Sequence, residues 1–230
     1  IKADLILPFA DLISFGEIWL EPTVRLSSSP SQQLPTLCRI KYKETDSLRE
    51  YKLHLNSNGR GKGLANYYME DKFVHMKDIT EEALQVSIFE SENLCVMSLY
   101  RSGNDETLGQ VLKENIPSAK NCLVIGDFNI CTRKFPNHEV FAILKSDGFK
   151  LLLDVATHFD GGHLDQAWLR VRPREEDHVS MELYSPYYNS KDHDAILFTS
   201  YEPSSKLGKK VLSLEFLKNI LNLGLEKLSC

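Results

Sequence analysis

Four carboxylates in this chain share one setting. Glu17, Asp127, Asp165 and Asp192 each stand at one end of an apolar, strand-like run. Burying a carboxylate there is costly unless something pairs with it. One such residue is ordinarily a turn or a cap, but four in one chain imply that the strand ends converge. Converging carboxylates repel one another, and a divalent cation offsets that repulsion. An oxygen-only donor set favours Mg²⁺ or Mn²⁺ over zinc. The neighbours sharpen the chemistry. Gly126-Asp127-Phe128-Asn129 sets a carboxylate and a carboxamide two residues apart, which in an extended segment is one side. There Asp127 can orient or deprotonate a water while Asn129 donates to a phosphate oxygen. Asp192-His193 sets an acid beside an imidazole. His193 can accept a proton or stabilise a phosphorane-like transition state. Asp165 can hold that imidazole in one orientation, as a triad Asp does.

The elements that would position these residues are mostly strands. Asp11–Leu20 is an apolar run containing Glu17. Thr36–Lys43 alternates, with Cys38, Ile40 and Tyr42 opposite Arg39, Lys41 and Lys43, as a half-buried strand does. Tyr51, Leu53 and Leu55 repeat the pattern. The glycines at 59, 61 and 63 lack the Lys-Ser/Thr ending of a nucleotide P-loop and fit a hairpin turn. The β pattern continues through Lys72–Met76, Leu84–Glu90 and Asn93–Tyr100. Leu123–Ile125 leads into Gly126-Asp127, and Leu151–Val155, His163–Val171, Val179–Leu183 and Asp192–Thr199 read as further strands. Two segments are helical: Asn104–Asn115, and Pro136–Asp147 with Val140, Phe141 and Leu144 on one side and Gly148 as its stop. This order predicts an α/β fold, a four-layer sandwich of two mixed sheets flanked by helices. The domain spans 1–202. Residues 203–230 form an amphipathic C-terminal helix or linker, with Val211, Leu214, Leu217, Leu221 and Leu225 at helical spacing.

Composition sets bounds. The chain has 230 residues, 42% hydrophobic and 26% charged, within the range of a globular domain. Its net charge of −5 is unlike that of a generic nucleic-acid coat, although a carboxylate-rich metal site makes a nuclease acidic as a whole. Locally, Arg39 to Lys77 holds nine Lys/Arg against five acids. The five cysteines form no CxxC pair, which fits a reducing compartment and argues against a zinc site. No run is long enough for a membrane span. His54, His75, His138, His158 and His178 lack a matching partner pattern and read as structural.

Glu17 in Ile13-Ser14-Phe15-Gly16-Glu17, Tyr100 in Ser98-Leu99-Tyr100-Arg101, the run 126–129, Leu164-Asp165 and Asp192-His193-Asp194-Ala195-Ile196 occur in the order found in the endonuclease/exonuclease/phosphatase superfamily. The resemblance spans residues 4–200. Within it the chain resembles the apurinic-like endonucleases of retroelements and other transposons, which also have a glycine-rich run like that at 60–65 and a turn like Leu99–Ser102. The resemblance implies Glu17 as metal ligand, Asp127 and Asn129 at the nucleophile, and Tyr100 and Arg101 with Asn129 on the substrate phosphate. Asp192 would help bind metal, and Asp165 and His193 would form the orienting pair. It implies a Mg²⁺- or Mn²⁺-dependent DNA endonuclease, intracellular and nuclear, with DNA as its partner, no membrane association and further domains downstream. The sequence departs from the pattern at Gly16, Gln166 and Lys191, and the family's first strand is expected before Ile1. Two other readings stay open: the same chemistry on an inositol phosphate, lipid or RNA, and a degenerate, non-catalytic binding module.

Overall fold

Alternation of apolar and polar residues makes β-strands of more than half of the described residues, and ten of these strands form two sheets that face each other. The computed structural model describes residues 11–16, 37–41, 48–57, 62–92, 94–103, 105–118, 121–152, 156, 158, 160–171, 179–184 and 195–200. A four-stranded sheet has the order β1 (Leu12–Phe15), β4 (Gly63–Tyr68), β3 (Leu48–Ser57), β2 (Leu37–Lys41). All of its pairs are antiparallel. A six-stranded sheet has the order β5 (Val74–Thr80), β6 (Leu84–Glu90), β7 (Leu94–Arg101), β8 (Asn121–Asp127), β10 (Asp165–Arg170), β9 (Lys150–Leu151). Here β7 and β8 run parallel and the other neighbours antiparallel. β11 (Val179–Tyr184) and β12 (Ala195–Ser200) form a separate antiparallel pair. The larger sheet is mixed, and the described pairs of the smaller one are antiparallel. Sequential strands joined by short turns pair antiparallel; the β7–β8 connection instead carries a helix, as a parallel crossover requires.

That helix is α1 (Leu108–Asn115), followed after β8 by α2 (Glu139–Ser146). α1 begins later than the sequence pattern predicts because Asp105 stops the chain before it. Its Oδ1 accepts from the Thr107 N–H at 2.7 Å and the Leu108 N–H at 3.2 Å. Extended Ile116, preceding Pro117, ends the helix. At the start of α2, His138 Nδ1 accepts from the Val140 N–H at 3.2 Å. Gly148, at φ 83°, closes its end, with the Phe149 N–H bonded to the Leu144 carbonyl at 2.9 Å.

Both helices cover the outer face of the six-stranded sheet. Leu84, Val86, Met97, Leu99, Val124 and Trp168 from the strands pack with Leu108 and Leu112 of α1 and Val140, Phe141 and Leu144 of α2. Phe141 stacks on Trp168 with ring centroids 5.5 Å apart. The inner face turns toward the four-stranded sheet, and its apolar cluster is smaller: Val96, Leu123, Ala167 and Leu169, with Leu12 of β1 against it. Elsewhere that interface is polar. Asn56 Nδ2 donates to the Val86 carbonyl at 3.0 Å, and Thr80 Oγ1 donates to Asn56 Oδ1 at 2.7 Å. Ser14 and Ser98 bond across the sheets. In β3 the sequence pattern points to Tyr51, Leu53 and Leu55 as the packed face, yet His54 and Asn56 reach the other sheet while Leu55 is 36% exposed. Three layers are therefore seen; the fourth is not among the described residues. The predicted C-terminal helix at 203–230 also lies outside them, as do residues 1–10. Among the described residues no helix is long and apolar enough to cross a membrane.

Candidate active site

Three neighbouring strands end in one row of polar side chains. Tyr100 on β7 is in register with Asp127 on β8, and Asp127 is in register with Asp165 on β10. Adjacent strands lie about 4.8 Å apart. Period-two alternation puts Tyr100 on the face of Val96, Asp127 on that of Leu123, and Asp165 on that of Ala167 and Leu169. These are the inner-face cluster residues, so the row looks toward the four-stranded sheet. Gly16, which follows β1, lies against it: a Cβ there would sit 3.2 Å from Tyr100 Cδ2. Tyr100 is 5% exposed, and the two carboxylates are half-buried.

The chain around the central carboxylate is tightly constrained. Gly126 has φ 135°, and a Cβ on it would fall 1.9 Å from the Leu99 carbonyl oxygen, so only glycine fits beside β7. Beyond Asp127 the backbone leaves the extended conformation expected from the sequence. Asn129 adopts φ 50°, and its N–H donates to Asp127 Oδ1 at 2.8 Å. This local bond orients the carboxylate and turns the chain, as Asp side chains commonly do after strands. The two side chains thus stand at a strand end and in a turn, not two apart on one strand face. Phe128 and Ile130 anchor the turn in the outer core, and the Phe128 N–H bonds the Leu164 carbonyl at 3.0 Å.

Two buried polar side chains brace the turn. Arg101, read from the sequence as a substrate contact, is 5% exposed. Its Nη1 donates to the Phe128 and Asn129 carbonyls at 3.2 and 3.3 Å, and its Nε and Nη2 donate to the Asp105 carbonyl at 3.0 and 2.7 Å. This geometry is that of a positioning residue: the guanidinium is turned into the protein and ties β7 to the segment after β8. Burial lowers its pKa, and the charges of Asp105 and Asp127 oppose that shift. Gln166 is 1% exposed. It donates from Nε2 to the Ile130 carbonyl at 2.6 Å and accepts at Oε1 from Trp168 Nε1 at 2.9 Å. The departure at Gln166 is therefore a loop clamp. The sequence carried no signal for it, because the carbonyl it clamps, that of Ile130, is 36 residues away. Within the same turn, burial raises the Cys131 pKa, but the N–H groups of His163, Lys134 and Arg133 outweigh that and hold the thiol below its usual range.

Of the residues singled out by sequence, Tyr100, Asp127 and Asp165 are brought together, with Asn129 beside Asp127. Glu17, Asp192 and His193 lie outside the described residues. The donor set fits a hard divalent cation. Asp127 and Asp165 face each other in register with oxygen donors only, and two such carboxylates repel unless a cation or donors offset them. A cleft of about 530 Å³ lined by Lys62, Glu81, Glu82, Ser102, Asp105 and Glu106 contains none of the row's residues. Its acids outnumber its cation, so it is a poor seat for a polyanion.

Neither a family model nor a curated protein sequence matches the chain. Solved structures do. A structure of the Haemophilus ducreyi cytolethal distending toxin superposes with a TM-score of 0.60 at 15% identity, covering 88% of this chain and 91% of that one. The endonuclease domain of a telomere-specific non-LTR retrotransposon gives 0.53 at 12% identity, covering 86% and 88%. An endonuclease/exonuclease/phosphatase family protein from Leptotrichia buccalis gives 0.52 at 14%, covering 86% and 92%. At these identities the likeness is one of fold.

Proposed function

From a chain with the DNase I-like fold of the endonuclease/exonuclease/phosphatase superfamily, we propose a metal-dependent phosphodiester hydrolase that nicks DNA. The observation that carries this reading is the row Tyr100–Asp127–Asp165, set on one face at the ends of three adjacent strands. A carboxylate whose orientation is fixed by the Asn129 N–H can align a water with phosphorus and take its proton. The Tyr100 hydroxyl and the Asn129 carboxamide donate to the non-bridging phosphate oxygens. The water oxygen bonds to phosphorus, the bond to the leaving alkoxide breaks, and that oxygen receives a proton. Asp165 would orient His193 for proton transfer. Glu17 and Asp192 would hold Mg²⁺ or Mn²⁺, which would supply charge stabilisation to the phosphoryl oxygens. The DNA reading, with a nuclear mobile-element polypeptide as host, is supported by the sequence motifs and the shared fold of the retrotransposon endonuclease domain.

The test is supercoiled-plasmid nicking with Mg²⁺. Nicking by the chain that is lost with EDTA and in Asp127→Ala is the expected result. No nicking by a folded chain sinks the DNA reading. One observation favours a second substrate class: the net charge of −5 is unlike that of a protein that grips a long polyanion. Release of phosphate from an inositol phosphate by the same preparation, with plasmid untouched, would move the assignment there.

A further inference from the structure

Two histidines outside the carboxylate row meet one aspartate across the gap between the sheets. His54 lies on β3 of the four-stranded sheet; His75 and Asp78 lie on β5, the edge of the six-stranded sheet. In a regular strand, residues three apart point to opposite faces. Here the β5–β6 register pairs His75 with Phe89 and Lys77 with Ile88, leaving Met76 as an extra residue. That bulge returns Asp78 to the face of His75, the re-aiming that bulges perform beside binding sites. His54 Nε2 lies 2.8 and 3.0 Å from the two Asp78 oxygens, and His75 Nε2 lies 3.1 Å from Oδ1.

The rings stack with centroids 3.7 Å apart, and both meet the edge of Phe89. Ser87 Oγ donates to Asp78 Oδ1 at 2.9 Å, fixing the carboxylate from behind. Such an outer partner is what orients a metal ligand. Side-chain exposures of 23%, 24% and 29% leave a mouth open to solvent. Two imidazoles this close repel each other when protonated. As neutral ligands they present lone pairs to one ion. Bonds of about 2.0–2.2 Å at tetrahedral angles put donor atoms about 3.3–3.5 Å apart; the His54–Asp78 and His75–Asp78 spacings of 2.8 and 3.1 Å are close to this, and all three donor atoms lie within 4.8 Å of one another.

We propose that His54, His75 and Asp78 form a transition-metal site, with Zn²⁺ as its ion and a water in the fourth position, that clips β3 to β5. Two imidazoles and one carboxylate select Zn²⁺, Co²⁺ or Ni²⁺ over Mg²⁺, so the chemistry of this site differs from that of the carboxylate row. It is also remote from that row. Phe89, opposite His75, lies four residues along β6 from Gln85, which is opposite Tyr100, a separation of about 13 Å along the strand.

The experiment titrates the full chain with Co²⁺ in excess Mg²⁺ at neutral pH. One equivalent with the visible spectrum of four-coordinate Co²⁺, no thiolate charge-transfer band, and displacement by Zn²⁺ is expected. His75→Gln and Asp78→Asn should each weaken binding by about tenfold or more, and Zn²⁺ should raise the melting temperature of the unsubstituted chain only. Circular dichroism checks that the variants fold. If one does not, His54→Gln replaces it and the spectrum of the unsubstituted chain still decides. No bound Co²⁺, a thiolate band, or unchanged affinity in folded His75→Gln overturns the proposal and leaves a hydrogen-bonded His-Asp-His brace.

Discussion

The two faces of the six-stranded sheet are built on opposite principles. The outer face is mostly apolar: Leu84, Met97, Val124 and Trp168 meet the apolar sides of two helices, and its buried polar side chains, Arg101 and Gln166, are hydrogen-bonded into the protein. The inner face carries Ser87, Ser98, Tyr100, Asp127 and Asp165 toward a second sheet that answers with Ser14, His54, Asn56 and Asn66. The first face supplies stability; the second buries polar groups at an energetic cost and carries the proposed site. Asn66 illustrates the cost. It is fully buried, and neither its Nδ2 nor its Oδ1 has a hydrogen-bond partner among the described residues, an arrangement that typically costs about 1–3 kcal/mol. A helix-covered face is dominated by packing, with polar groups only where Arg101 and Gln166 hold the turn.

This contrast can be broken experimentally. The largest effect is expected from Asp127→Ala, which should lower the plasmid-nicking rate by roughly 10²–10⁴ while leaving the urea midpoint nearly unchanged. Equal loss of stability would mean that the inner face is structural after all. On the outer face Phe141→Ala should do the reverse, costing about 3–5 kcal/mol in chemical denaturation with unchanged rate per folded molecule. Gly126→Ala couples the two faces. Its Cβ must displace the Leu99 carbonyl, so about 3 kcal/mol of stability and most of the activity should be lost together. A milder coupling is expected for Arg101→Met, about 2 kcal/mol, with kcat reduced and KM little changed, because the arginine sets the 127–130 turn and does not touch substrate. A raised KM with unaltered kcat would restore Arg101 as a substrate contact. Smallest is Ser98→Ala, which removes one bond between the sheets and should cost about 1 kcal/mol by thermal melt.

Much of the outer face was legible in the sequence. The spacing of Val140, Phe141 and Leu144 with Gly148 after them predicts α2, and the helix observed buries those residues. The strand leading to Asp127 and the strand beginning at Asp165 were equally visible, because apolar runs ending in a short acidic motif have few other readings. The inner face was much less legible. Tyr51 is buried as its pattern suggests, but Leu55 is exposed, and it is His54 and Asn56 that reach across. Arg101 beside Tyr100 looked like part of a phosphate-binding turn. Alternation, which reverses a side chain's direction at every residue, instead sends it to the opposite face and into the protein.

By itself, the sequence determined the β-rich α/β class of the fold and the strands that end in Asp127 and begin at Asp165. Asp127 and Asp165 are acids at strand ends whatever surrounds them, and period-two alternation already assigns each a face. Only the tertiary structure decided which strands are neighbours, and so that Tyr100, Asp127 and Asp165 share one row. It also decided that Arg101 and Gln166 brace the turn, and that one extra residue at Met76 turns Asp78 toward two histidines. The physical reason is range. Hydrophobic period and turn chemistry act over a few residues, whereas pairing order, bulges and buried hydrogen bonds join groups tens of residues apart.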